Sequence, residues 1–244
     1  MTGESTASAT PSPTPSSAPV IRAVWTDFRG VLTPPLPWAV ESFCERAGGL
    51  RPPMLHAAMR AVGHAHGAGS MEVLDTPLLT EEEWGRQVEA ALSDLFGVRA
   101  DMSGFAERWF ADRRVNQPWI DELRRLRAAG IHIGLLSNMP PGWDPYWRLM
   151  VPPQDFDDLV MSFESGCRKP DRAVFDLAVR RSGIPAEQSL LADDLAENCA
   201  GAVRAGWHGL HFTDTEDAIR AVRTACGLPH AGPGVPPTPE RIST

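Results

Sequence analysis

From Asn116 onward the sequence alternates between amphipathic helical segments and short apolar runs, and this alternation constrains the fold more than any other feature. Pro118 opens a segment carrying Trp119, Ile120, Leu123 and Leu126 at helical spacing, which stops at Gly130; "IHIGLLSN" then supplies an apolar run with polar residues at its end. "PDRAVFDLAVRRSG" reads as a second helix, "SLLADD" as a strand ending in acids, "LAENCAGAVRAG" as a helix, "HGLHF" as a strand and "TEDAIRAVRTACG" as a last helix. Strict alternation of this kind predicts an α/β fold, a parallel sheet flanked by helices. In such sheets ligands lie beyond the carboxyl ends of the strands, so the polar residues at the strand ends are where chemistry is expected.

The first part of the chain has a different texture. Residues 20–33 read as a buried strand plus loop, and residues 38 to about 114 as helices only. In "TEEEWGRQVEAALSDLFG", Thr80 and Glu83 form a capping-box pattern, Trp84, Val88, Ala91, Leu92 and Leu95 recur at helical spacing, and Gly97 suits the stop. Consecutive helices with no intervening strand predict a helical subdomain at 35–115, inserted into a core formed by 20–34 and 116–227. Residues 1–19 are small, polar or proline, and 228–244 are rich in Pro, Gly and Thr. Neither tail carries enough apolar surface to offset ordering, so both are expected to be disordered.

Composition narrows the class of partner. Of the 244 residues 43% are hydrophobic, ample for a buried core, while a net charge of -8 argues against nucleic acid or an anionic membrane, which select basic patches. Small anions respond to local charge instead, so a small anionic molecule is not excluded as a partner. No apolar run approaches 20 residues, and the N-terminus lacks a signal-peptide pattern. Cysteines 44, 167, 199 and 226 are scattered, which reads as reduced thiols in a cytoplasmic protein without disulfides. Nothing in the sequence sets the oligomeric state.

Four strand or loop ends offer chemistry: Asp27, Ser137-Asn138, Lys169 and Asp193-Asp194. A carboxylate at a strand end can attack phosphorus or an activated carbon and divide one displacement into two. Attack on a phosphate dianion requires cancelling the repulsion between anions, which Mg²⁺ on oxygen ligands does. The adjacent acids Asp193 and Asp194 would repel each other without a cation, although an Asp here also caps helices. Taken singly, Ser-Asn reads equally as a turn, and Lys-Pro as an exposed loop.

Together, "WTDFRGVLTPP", "IGLLSN", "CRKPDRAVFDLAVRRSGI" and "LLADDLAENCAGAVRAG", in this order, resemble the four motifs of the haloacid dehalogenase (HAD) superfamily across about 21–213. The resemblance implies a Rossmann-like core. The helical insertion after the first motif is similar to the cap of haloacid dehalogenases and of the phosphatase domain of soluble epoxide hydrolases. It implies a hydrolase, foremost a Mg²⁺-dependent phosphatase of a small metabolite, with Asp27 as nucleophile. The ion would be held by Asp27, the carbonyl of Arg29 and Asp194, with Asp193 behind them or as an alternative ligand. Ser137, Asn138 and Lys169 would grip the transferring group, and Asn198 resembles a supporting position.

Arg29 departs from the pattern, since phosphatases of this superfamily generally carry a second Asp there to exchange protons with the leaving group and water. Arginine can do neither, because its pKa stays above about 12 and it has no acceptor. Three readings stay open: a phosphatase whose leaving group, or another proton source, makes that Asp dispensable; a carbon-halogen hydrolase, whose halide leaves unprotonated; or a catalytically degenerate binding protein. If the Arg29 side chain points into the pocket, it recognises an anionic group. Elsewhere, His64 and His66 read as a solvated helix end, "RRLRAAG" as a solvated helix face, and Trp143, Tyr146 and Trp147 as either a pocket lip or a packing patch.

Overall fold

The computed structural model describes residues 20–47 and 49–229, so the disorder expected of 1–19 and of 230–244 lies outside the described residues, whereas Leu228, expected to belong to the disordered tail, is partly buried against the core. In chain order the elements are β1 (Ala23–Thr26), α1 (Leu36–Arg46), α2 (Pro52–Ala65), α3 (Glu72–Asp75), α4 (Glu81–Phe96), α5 (Phe105–Phe110), α6 (Gln117–Ala128), β2 (His132–Ser137), α7 (Asp144–Met150), β3 (Asp158–Met161), α8 (Ser162–Ser165), α9 (Arg172–Ser182), β4 (Ser189–Asp193), α10 (Ala196–Arg204), β5 (His208–His211) and α11 (Thr215–Ala225). The strands form one parallel sheet in the order β3-β2-β1-β4-β5, flanked by helices in the predicted Rossmann-like arrangement.

β1 is central, and its four residues are all buried. Alternation along the strand sends Val24 into one apolar cluster and Ala23 and Trp25 into the other, as a sheet covered on both faces requires. Trp25 packs beside Trp207 (ring centroids 6.1 Å apart). Its indole fills the place of a side chain on β2: an ideal Cβ at Gly134 would lie 2.2 Å from the Trp25 ring. On the other face Trp119 Nε1 donates to Thr26 Oγ1 at 3.1 Å, pinning α6 under β1. Chain connections leave β1 toward β2 on one side and return to β4 on the other, so the crevice for a ligand opens at the carboxyl ends of β1 and β4.

β3 has no counterpart in the sequence reading. It is a four-residue edge strand among prolines, too short for a period-2 pattern to stand out. α4 forms with its capping box and stops at Gly97. Its apolar face is narrower than the spacing suggests, because Trp84, Val88 and Leu92 are buried whereas Leu95, in the last turn, is 54% exposed.

Helices α1–α5 follow β1 directly, and α2 packs on α4. Phe43, Trp84, Phe105 and Trp109 form an aromatic cluster among these helices. Trp109 stacks on Trp143, which lies in the turn after β2, at 5.4 Å, and Phe110 stacks on Tyr146 at 5.4 Å. Trp143 and Trp147 are fully buried, so these aromatics are packing rather than a pocket lip. His66, just past the end of α2, donates from Nε2 to Gln87 Oε1 of α4 at 2.8 Å on the exposed surface, and Arg124 and Arg127 of α6 pair with Asp155 and Asp157.

Candidate active site

β1 ends by delivering Asp27, which is 6% exposed, into a loop held to β4 by the Asp27 N–H bond to the Ala192 carbonyl (2.9 Å). Lys169, in the segment before α9, is buried as well, at 1%. Its Nζ donates to Asp27 Oδ1 at 2.8 Å and to Asp193 Oδ2 at 2.5 Å. Burial works against a charged amine, but the charges of Asp193 and Asp27 outweigh it and hold the ammonium above the usual lysine range. α9 starts at Arg172, after Asp171 as N-cap, so Pro170 stands just outside the first turn expected for it.

Asp193 is fully buried and saturated. Besides Lys169 it accepts from Leu195 N (2.9 Å) and from Asn198 Nδ2 with both oxygens (3.0 and 3.1 Å). Asp194 makes no side-chain hydrogen bond among the described residues, and it rests on the Gly30 backbone. Gly30 has φ +75°, and an ideal Cβ there would lie 2.1 Å from Asp194 Oδ2, so this approach requires glycine. Burial, then the charges of Asp27 and Asp193, push the Asp194 carboxyl up to about 7.

Oxygens of Asp27, Asp193 and Asp194 all lie within 4.8 Å of one another. An all-carboxylate donor set in one cluster, with like charges raising the Asp194 pKa, fits a hard divalent cation such as Mg²⁺. Asp193 has its acceptor positions filled, whereas Asp27 Oδ2 and the Asp194 carboxylate keep theirs free among the described residues.

The remaining candidates divide. Asn138 lines the same cavity of about 110 Å³ as Asp27, Arg29, Lys169 and Asp194. Its amide is nevertheless committed to the Lys169 backbone, accepting from Lys169 N and donating to Lys169 O, both at 2.9 Å. Ser137 is buried at the end of β2, with its hydroxyl unpartnered. Arg29 is among the residues that line the cavity. Its Nη2 lies 3.6 Å from Asp75 Oδ2, and its guanidinium stands 5.5 Å from the Trp143 ring centroid. Asp75, on α3, is buried and also meets Arg168 Nη2 at 3.5 Å. Sequence reasoning missed both Arg168 and Asp75: Arg168 adjoins Lys169 in "CRKP", but Asp75 sits on a four-residue helix with no pattern to mark it. Asp194 also lines a second cavity of about 530 Å³, between the connections at 33–35 and 115–116 and the loop before α11.

The model of the haloacid dehalogenase-like hydrolases matches residues 21–206, well over half of the chain. The chain belongs to this family. Among curated relatives of this HAD-like hydrolase, the sesquiterpene phosphatase astK of Aspergillus oryzae is 27% identical over 106 residues, 43% of this chain and 54% of the relative. That alignment thus spans about half the length of the relative. Two solved structures share the fold. The L-2-haloacid dehalogenase RSc1362 superposes with a TM-score of 0.62 at 19% identity, covering 84% of this chain and 99% of that one. A HAD family enzyme of Bacteroides thetaiotaomicron, BT-2542, in complex with magnesium and inorganic phosphate, gives 0.57 at 18% identity, covering 79% and 94%. No described helix of this HAD-like hydrolase is long and apolar enough to cross a membrane.

Proposed function

We propose that this hydrolase is a Mg²⁺-dependent phosphatase of a small metabolite, working through a phosphorylated Asp27. The observation that carries the reading is the pairing of a buried, lysine-held carboxylate with a second, unpartnered carboxylate at one cavity of about 110 Å³, a space suited to a phosphoryl group. Lys169 keeps Asp27 oriented with Oδ2 free to attack phosphorus. Lys169, Arg29 and Arg168 supply positive charge where the transferring oxygens gather it. Asn138 sets the Lys169 backbone, Asn198 fixes Asp193, and Asp193 anchors the Lys169 ammonium; the buried Ser137 hydroxyl is unpartnered but lies outside the residues that line the cavity.

Asp27, Asp194 and the Arg29 carbonyl would hold the ion, with Asp193 behind them. When bound, it screens the repulsion between Asp27 and the phosphate and orients both. Residues 35–115 act as a cap, with Trp109 on Trp143 and Phe110 on Tyr146 as the contacts that hold it over the site and exclude water. The relationship to a sesquiterpene phosphatase and the magnesium and phosphate bound by BT-2542 support this reading. Four free thiols support a reducing, cytoplasmic setting.

Asp27→Asn abolishes turnover of 4-nitrophenyl phosphate while the protein stays folded; retained turnover would refute Asp27 as nucleophile. Arg29 favours one second reading, a carbon-halogen hydrolase, because a halide needs no proton to leave. Halide release from a 2-haloacid in the presence of EDTA, without phosphatase activity, would select it. A degenerate binding protein would instead bind phosphate and turn over nothing.

A further inference from the structure

Of the groups lining the cavity at Asp27, none is both uncommitted and shielded from water so as to protonate a departing oxygen. No His, Cys or Tyr lines the cavity. Asp27 is the nucleophile of the proposed reaction, and Asp194 is committed to the ion. The Lys169 ammonium is spent on two carboxylates at 2.8 and 2.5 Å. Arg29 and Arg168 are guanidinium groups, which stay protonated at any working pH. Asp75 approaches Arg29 but is fully buried behind it and does not line the cavity. Glu197 is on the rim, exposed to solvent.

We infer that the enzyme cleaves phosphates whose leaving group departs as a stable anion, namely phosphoanhydrides, acyl phosphates, and enol or aryl phosphates, and that it discriminates against simple alkyl phosphates. This rests on the phosphatase reading and narrows its substrate class. In the first step Asp27 Oδ2 forms a bond to phosphorus, while the bond from phosphorus to the leaving oxygen breaks and its electron pair goes with that oxygen. No proton is transferred. The transition state is loose, so the leaving oxygen carries much of the charge, and the Arg29 guanidinium stabilises it electrostatically in place of a proton. In the second step water attacks the phosphorus of the aspartyl phosphate and the bond to Asp27 breaks. The products are the Asp27 carboxylate, hydrogen phosphate and one proton released to solvent. The aspartyl carboxylate is itself an acidic leaving group, so this step also needs no acid.

The test is the leaving-group dependence of kcat/KM for the full-length protein with Mg²⁺, over aryl phosphates from 4-nitrophenyl to phenyl, with acetyl phosphate and glycerol phosphate as the extremes. Without a general acid, kcat/KM falls on the order of 10²- to 10³-fold from 4-nitrophenyl to phenyl phosphate. Acetyl phosphate is turned over, glycerol phosphate is not, and the solvent deuterium isotope effect is close to one. A flat series, or efficient hydrolysis of glycerol phosphate, overturns the inference and leaves the phosphatase reading standing. So does a marked steepening of the series in Glu197→Gln, which would identify Glu197 as the acid. Failure to hydrolyse any member, acetyl phosphate included, refutes the phosphatase reading and this inference with it. Arg29→Asp, which introduces a proton donor, flattens the series; the wild-type slope decides the matter if that variant does not fold.

Discussion

Lys169 Nζ bonds to Asp27 Oδ1 at 2.8 Å across 142 residues of sequence, and the same ammonium bridges to Asp193. Two strand ends and the segment before α9 are thereby joined by one buried cation. Lys169→Met keeps much of the side-chain volume but leaves two buried carboxylates without a counter-charge, a loss of about 3–5 kcal/mol. Urea unfolding should show it as a lower midpoint, and kcat/KM for 4-nitrophenyl phosphate should fall at least ~10²-fold. An unchanged midpoint would mean that the bridge contributes nothing to the fold.

Asn198 lines the cavity, but its Nδ2 is committed to both Asp193 oxygens, so in the proposed reaction it works through Asp193. Truncation in Asn198→Ala leaves acceptor positions on both Asp193 oxygens unfilled in a buried site, costing about 1–3 kcal/mol. The expected result is a lower unfolding midpoint together with a reduced kcat and a nearly constant KM, since Asn198 positions the Lys169 anchor rather than the substrate.

The Asp194 carboxyl, raised to about 7 by burial and neighbouring acids, sets a pH signature for the metal-free protein. Between about 4 and 7 the folded state holds a proton that the unfolded state has released, so stability is greatest at the low end of that window. It declines as pH rises through about 7 and then levels off. Melting curves in EDTA should therefore show a lower Tm at pH 8 than the Asp194→Asn variant, with the difference shrinking at pH 5. Addition of Mg²⁺ should raise the wild-type Tm at pH 8 more than at pH 5, and an equal rise at both would remove Asp194 from the ligand set.

Gly30→Ala tests the close approach of the Asp27 loop to the same acid. A Cβ at φ +75° costs ~1–2 kcal/mol in the backbone alone. It also collides with Asp194 Oδ2, which must move. Reduced stability and a weakened Mg²⁺ dependence of turnover are expected together; lost stability with an unaltered Mg²⁺ titration would separate Gly30 from the ion.

Local signals made most of the architecture legible. The capping box at Thr80 and Glu83 and the polar ends of "IHIGLLSN" and "SLLADD" depend on residues close in sequence, so helix α4 and strands β2 and β4 could be read directly. β3 could not, because a four-residue edge strand has too few positions to display a period. Trp143 and Trp147 were ambiguous for a related reason. An aromatic beside a strand end packs or lines a pocket according to what faces it, and here Trp109 and Phe28 face it.

By itself the sequence determined the alternation that makes a parallel sheet, the polar residues at its strand ends, and the presence of Arg29 where a proton-transferring side chain could have been. Only the tertiary structure decided how those residues are used. It committed Asn138 to the Lys169 backbone, saturated Asp193, left Asp194 free against Gly30, and set Arg29 between the Asp27 cavity and Asp75. The reason is physical: period and capping are properties of neighbouring residues along the chain. Whether a charged side chain is free or spent depends on partners that folding brings from far away and on the water that burial removes.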